Sequence, residues 1–362
     1  MEPSPPPADP PLQEAVLHIG LGKCGTTSVQ FFLFRNRDRL AELGVLNPVS
    51  AGRQRHTELG FFVKTRRELA RTIEWQRLGI ESPDEWRQRF RRRLRREIVK
   101  SGLPRALFTD EDLFSSSEQA VTRMRRLMGR LAAGVRLVAY VRRQDDHMVS
   151  RYQQAVKIGE TARLDEYAAR DWAWKYDYGM QLSRWQRVLQ PARVVLRRYE
   201  PGRFEGGSLY QDFLGAIGID ACAEDFEQVS ARNESIDVES AEFIRLLNIY
   251  RVEHEGATPY LIDNRALVRA LRESPTGGPT LTLSDDLLDR FMERWSASNR
   301  VVAREYLGED ELFHAPRKTR NTTPVQRLDP ARLDHYLELL RIPIEQHPPL
   351  RRIAEREAAR TR

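Results

Sequence analysis

Apolar positions along this chain alternate between two patterns. Short apolar runs at 16–19, 105–109, 135–141 and 193–198 read as strands, with VRLVAYV at 135–141 the clearest. Between them apolar residues recur every three or four positions, as on one face of a helix. Val29, Phe32, Leu33 and Leu40 predict a helix over 26–42, stopped at Gly44. Similar spacing predicts helices over 57–74, 84–100, 116–132, 178–189 and 207–217, and the segment 47–56 reads as loop. Ser115 and Glu118 form a capping box for the helix at 116–132. A polar turn after 141 leads into a further helix, and beyond 230 the pattern is helical over 237–253, 283–307 and 329–341.

Strands separated by helices predict an α/β protein with a mostly parallel sheet covered on both faces. The simplest arrangement is one compact domain over 14–345 with a largely helical C-terminal portion. Residues 1–13, Pro-rich and without the basic and apolar regions of a signal peptide, are expected to form a disordered tail. Residues 346–362 are expected to form a charged C-terminal tail, and PTGGPT at 275–280 a surface loop.

Composition narrows the setting. Of 362 residues, 40% are hydrophobic and 31% charged, as in ordinary globular proteins, and no apolar stretch is long enough to cross a bilayer. Two cysteines, Cys24 and Cys222, are too few for a disulfide framework, so a reducing, cytoplasmic location is expected. The net charge of +7 favours anionic partners. Its densest run, RQRFRRRLRR at 87–96, lies among Trp86, Phe90, Leu94 and Ile98 at four-residue spacing. That predicts an amphipathic helix with a basic outer face, either simply solvated or open to an acidic acceptor or nucleic acid.

The chemistry concentrates in HIGLGKCGTTSVQ, residues 18–30, between the first strand and the first helix. The first N–H groups of a helix have no intrahelical partners and carry a partial positive charge, so a glycine-rich turn there suits an anion. Gly22 and Gly25 would let the backbone wrap closely, Lys23 would reach a phosphate or leaving oxygen, and Thr26, Thr27 and Ser28 add hydroxyls. The nucleoside-triphosphate pattern GxxxxGK[ST] is not met: Thr26 occupies the lysine position and Lys23 comes three residues early. A second group follows the strand at 135–141, where Arg142 leaves a strand end and Ser150 stands eight residues on. An Arg–Ser pair there suits a terminal phosphate.

Together these motifs resemble the cofactor sites of sulfotransferases that use 3′-phosphoadenosine 5′-phosphosulfate (PAPS). KCGTTS, residues 23–28, is similar to that family's 5′-phosphosulfate loop, and Arg142 with Ser150 is similar to its 3′-phosphate element. The blocks RRQDDHMVSRYQQAVKIG, DYGMQLSRWQRV, VVLRRYEPGRFEGGSLYQDFLGAIGI and WSASNRVVAREYLG resemble a bacterial, carbohydrate-type branch, so the likeness spans most of 14–315. Gly22 stands where proline is frequent and Cys24 where Thr or Ser is usual, which removes one hydroxyl from the loop. The resemblance implies a P-loop-type, three-layer α/β/α fold. It also implies sulfuryl transfer from PAPS, as co-substrate, to a hydroxyl or amine of a carbohydrate or other metabolite. Lys23, Cys24, Gly25, Thr26, Thr27, Ser28, Arg142 and Ser150 would bind PAPS. No metal is implied, because a sulfuryl group carries less charge than a phosphoryl group and needs no magnesium clamp.

Transfer requires removal of the acceptor's proton. Glu111, in LFTDEDLF just beyond the strand at 105–109, is the leading candidate base, with Asp110 and Asp112 beside it. The resemblance favours Glu111, since carbohydrate sulfotransferases often place a glutamate there. His56, in RQRHTELG, is the second candidate, as base or acceptor holder, while His18 is expected in the core. Asp177 and Tyr178 match a family block and would line the acceptor or adenine side, Tyr199 is expected to be structural, and Pro316–Arg320 is a possible late cover for the 3′-phosphate. The alternatives are a P-loop kinase or NTPase, a nucleic-acid-binding protein, or a nucleotide-binding relative without a working base. The acceptor and the oligomeric state stay open.

Overall fold

A computed structural model describes residues 10–229, 236–274, 277–317 and 320–360. Five parallel strands form one sheet: β1 Leu12–His18, β2 Val45–Leu46, β3 Arg105–Thr109, β4 Ala132–Val141 and β5 Arg193–Arg198, in the order β2-β3-β1-β4-β5. The fold is three-layer α/β/α, as the alternation of patterns predicts. Central strands read as continuous apolar runs because both faces are covered: Ala15, Val16, Leu17, Leu107, Phe108 and residues 137–141 are almost fully buried. Near the start of the central strand, Glu14 of β1 is clamped between Arg105 of β3 (3.1 Å) and Arg136 of β4 (3.0 Å).

The described residues divide into two compact units. The first holds the sheet and comprises residues up to 142, 173–232 and 297–315. Its basic helix, Pro83–Ser101, buries Phe90, Leu94 and Ile98, and Trp86 stacks on Phe90 beside Phe61 and Trp75. Each such side chain contributes about 1.5–3 kcal/mol relative to exposure, which sets the helix's inward face and leaves most of its arginines outside. The second unit comprises 143–172, 233–296 and 316–362. Its helices Gln144–Val156, Val238–Glu255 and His347–Ala359 surround a buried ionic core. There Arg245 is paired with Glu242 (2.6 Å) and Glu357 (2.9 Å), and Gln326 donates to Glu242 and Tyr152.

Several expected boundaries are corrected. The first strand begins at Leu12, inside the expected tail; residues 1–9 lie outside the described set. The expected C-terminal tail at 346–362 contains the helix His347–Ala359, which buries Leu350, Ile353 and Ala354. The first helix is two, α1 Thr26–Arg35 and α2 Arg37–Glu42, broken at Asn36, whose amide exchanges hydrogen bonds with the backbone of Glu227. The segment 57–74 holds three short helices, Thr57–Val63, Arg66–Leu69 and Ile73–Gln76. Ser117, not Ser115, caps the helix Glu118–Met128, its hydroxyl accepting from Ala120 N–H. The helices Leu164–Ala169 and Arg265–Glu273 had no counterpart in the sequence reading. Residues 275 and 276 of the expected surface loop lie outside the described set.

Candidate active site

The site grows from the C-terminal ends of β1, β3 and β4, where an open parallel sheet leaves a crevice. After β1 the chain turns through 19–25 into α1, with Gly25 as N-cap in the left-handed region (φ 69°) and no side chain capping the helix. Its first N–H groups therefore point into the turn, an end suited to an anion. A Cβ at Gly25 would lie 2.5 Å from Leu209 and 2.8 Å from Tyr199, so only glycine fits. Gly22 has no such need: the other residues of this turn, the crown of the site, with positive φ are Gly20 (φ 38°) and Lys23 (φ 69°). A lysine held there costs roughly 1–2 kcal/mol, strain of the kind that gathers at functional turns.

Arg142, at the end of β4, secures the crown. Its Nη1 donates to the Lys23 carbonyl (3.0 Å) and its guanidinium lies over the Tyr199 ring (5.7 Å). Tyr178, buried, donates its hydroxyl to the Arg142 carbonyl (2.7 Å). Tyr178 is thus a prop behind Arg142, and Tyr199 packs on the loop itself. Asp177 caps the helix Tyr178–Leu189, accepting from Met180 N–H (2.8 Å) and from the Ser298 hydroxyl (2.7 Å). Cys24 is buried, and burial pushes its thiol up to about 12 despite the nearby charges of Arg142 and Lys175. It is a neutral packing group, with neither the exposure nor the ionisation of a nucleophile.

The carboxylates sit beyond β3, beside the loop because β3 pairs with β1. Thr26, the first residue of α1, donates its hydroxyl to Glu111 Oε2. The Glu111 carboxylate also lies 3.7 Å from the position a Gly22 Cβ would take, so it borders the crown. Its side chain is 24% exposed, enough for a ligand to reach. Arg55 binds the whole acidic run, with Asp110 at 2.8 Å, Asp112 at 2.6 Å and Glu111 at 3.7 Å. Burial opposes the Arg55 charge, but the three carboxylates more than offset it and hold the guanidinium firmly protonated. Asp110 is buried, and burial raises its carboxyl to about 6 against the opposing pull of Arg55. Its Oδ2 faces Gly60, where a Cβ would approach to 2.2 Å.

His56 is not placed as a base. It is fully buried, its N–H donates to the Thr109 carbonyl (2.9 Å) and its Nδ1 accepts from the Thr109 N–H (3.0 Å). Burial lowers its pKa to about 3, so the ring is neutral, and the nitrogen able to take a proton is already an acceptor. It ties the chain before Thr57–Val63 to the end of β3. His18 is also buried and neutral, its Nδ1 2.9 Å from Thr109 Oγ1.

Of the remaining expected residues, Thr27 is exposed and Ser28 half-buried on the first turn of α1. Ser150 is half-buried on Gln144–Val156, in the second unit. Arg317 in that unit is engaged by Asp145 (3.3 Å), Asp285 (3.0 Å) and Asp289 (2.6 Å), while residues 318 and 319 lie outside the described set. The sequence reading missed Arg55 and Lys175. Nothing in RQRH distinguishes Arg55 among many arginines, and Lys175 lies on a short helix, Ala173–Tyr176, without a readable period.

Among the described residues no helix is long and apolar enough to cross a membrane. No family model matches the chain. An uncharacterized protein of Archaeoglobus fulgidus is 29% identical to it over 181 residues, 49% of this chain and 47% of the relative. The chain therefore spans about half the length of the relative it matches.

Proposed function

We propose that this chain is a PAPS-dependent sulfotransferase of the carbohydrate type, acting in the cytoplasm on a hydroxyl or amine acceptor. The observation that carries the reading is the joining of Glu111 to the anion-binding turn through Thr26. A proton acceptor thereby stands at the loop that would hold the transferable group. The uncapped start of α1 and Lys23 would hold the 5′-phosphosulfate, and Arg142, fixed to the loop, would reach towards the 3′-phosphate. Ser150 keeps only its sequence-based assignment as that phosphate's second donor.

In the proposed step the acceptor oxygen or nitrogen attacks sulfur in line, forming the new bond as the S–O bond to the 5′-phosphate breaks. The acceptor's proton passes to Glu111, and the products are the sulfated acceptor and 3′-phosphoadenosine 5′-phosphate. Lys23 and the loop N–H groups would stabilise charge on the leaving oxygen. The base would contribute a typical ~10²–10⁴-fold. A kinase is the second reading, favoured by the same Thr26–Glu111 contact, because a hydroxyl and a carboxylate beside a phosphate loop also suit a divalent cation.

Thermal stabilisation by 3′-phosphoadenosine 5′-phosphate, compared with ATP, ADP and AMP, each without and then with magnesium, separates the two. At ~100 times its Kd a ligand stabilises by about 2.7 kcal/mol. A shift with the 3′-phosphorylated nucleotide that is lost in Arg142→Ala supports the sulfotransferase. A shift only with ATP and magnesium replaces it with the kinase.

A further inference from the structure

Arg87 and Arg91 on the basic helix Pro83–Ser101 face Arg123, Arg126 and Arg130, on and just beyond the helix Glu118–Met128, across a cleft of about 290 Å³. Arg123 and Arg126 continue into an adjoining hollow of about 510 Å³, so the basic surface extends along the second helix. The cleft is lined by one carboxylate, Asp84, which Arg66 and Arg87 already engage, and the adjoining hollow by one, Glu118, which Arg187 engages.

The five guanidiniums have two duties. Arg87 and Arg123 are braces: both donate to the Lys64 carbonyl, Arg87 also to the Phe62 carbonyl (3.1 Å) and Arg123 to that of Val63. Among the described residues, no carboxylate pairs with Arg91, Arg126 or Arg130. Like charges gathered in a concave surface raise the local potential and concentrate anions there. Burial and the adjacent Arg87 charge hold Arg123 below the usual arginine range. Planar guanidinium forks match sulfate and carboxylate oxygens two at a time.

The cleft is linked to the candidate active site through one residue. While the Lys64 carbonyl takes the two braces, its ammonium lies 3.9 Å from Asp112, next to Glu111. We propose that this arginine cleft holds an acidic saccharide chain, one bearing sulfate or carboxylate groups on successive sugars. The choice of a saccharide rests on the sulfotransferase reading above. A nucleic acid suits the cleft less well: Phe62 is the one aromatic residue lining it, and Phe62 is buried, so bases find no stacking platform.

The test measures binding of a heparin-derived oligosaccharide and of a single-stranded RNA of equal charge to three proteins. They are the wild type, Arg126→Glu/Arg130→Glu, and Arg92→Glu/Arg95→Glu, whose exposed arginines carry the same charge change outside the cleft. The cleft variant is expected to lose ~10-fold or more in saccharide affinity and the control less than ~3-fold, both keeping the wild-type thermal midpoint. Equal losses in both variants, RNA binding as tight as saccharide binding, or no saccharide binding by the wild type overturns the proposal. Stabilisation by 3′-phosphoadenosine 5′-phosphate, measured in parallel, keeps the two readings apart. If the nucleotide has no effect but the saccharide is lost only from the cleft variant, the cleft stands and the sulfotransferase falls. If the nucleotide stabilises and no saccharide binds, the cleft alone falls.

Discussion

The hydroxyl of Thr26 donates a hydrogen bond to the carboxylate of Glu111, joining the first residue of α1 to the acidic turn after β3. Neighbouring parallel strands make this contact possible, since β1 and β3 end side by side. Glu111→Gln keeps the shape and an acceptor oxygen for Thr26 but loses the base. It should reduce turnover by about 10²–10⁴-fold while nucleotide stabilisation survives. Thr26→Val should cost about 1 kcal/mol of stability through the lost hydrogen bond. In a double-mutant cycle on stability, Thr26→Val and Glu111→Ala, each of which removes the contact, should be non-additive, and strict additivity would mean that the contact contributes nothing.

Two glycines of the turn, Gly25 and Gly22, should respond differently to alanine. At Gly25 the left-handed backbone and the close approach of Leu209 and Tyr199 act together, so Gly25→Ala should cost about 2–3 kcal/mol and abolish nucleotide stabilisation. At Gly22 the nearest atom to a new Cβ is in Glu111 at 3.7 Å, ordinary contact, and Gly22→Ala should stay within about 0.5 kcal/mol of the wild type. Urea unfolding midpoints read both, and equal effects would mean that the turn is not shaped by Gly25.

Arg142 reaches the loop through its hydrogen bond to the Lys23 carbonyl, and Tyr178 positions it from behind. Arg142→Lys should fail to restore nucleotide discrimination, because an ammonium cannot bond the carbonyl and a phosphate in one planar fork. Tyr178→Phe removes only the prop. It should weaken 3′-phosphoadenosine 5′-phosphate binding a few-fold, about 1 kcal/mol, and leave AMP binding unchanged. An equal loss for both nucleotides would make Tyr178 a packing residue without a positioning role.

Much of the frame was legible because its signals are local. The strands 105–109 and 193–198 and the helix 178–189 each carry their full apolar pattern within their own bounds. Two-residue β2 shows no period, and the break at Asn36 is fixed by Glu227, which no local window contains. The same distinction holds at the site. The turn 18–30 announces itself in one stretch, and Glu111 follows from the strand before it. Arg55 acquires meaning only once folding sets it against Asp110, Glu111 and Asp112. His56 was misread for the same reason: its partners are the backbone groups of Thr109, and backbone partners leave no mark in a sequence.

Those buried groups give the protein a defined response to acid. Burial holds His18 and His56 at about 3, against 6.5 when unfolded, so between these values the unfolded chain binds up to two more protons. Stability from this source is complete above pH 6.5 and falls on acidification, by at most about 2.7 kcal/mol per pH unit for two protons. Asp110 acts in the opposite sense. Its carboxyl is raised by burial to about 6 from 3.8, so between these values the native state holds the extra proton and stability falls as pH rises. Near pH 5 it therefore offsets one of the two histidines. His56→Asn should flatten the acid limb of stability against pH by about one proton, and Asp110→Asn should steepen it by about one. Urea unfolding free energies at intervals from pH 4 to 6.5 read the slopes directly. Movement of both variants in the same direction would show that the two groups do not oppose each other, and that Asp110 is ionised beside Arg55 throughout this range.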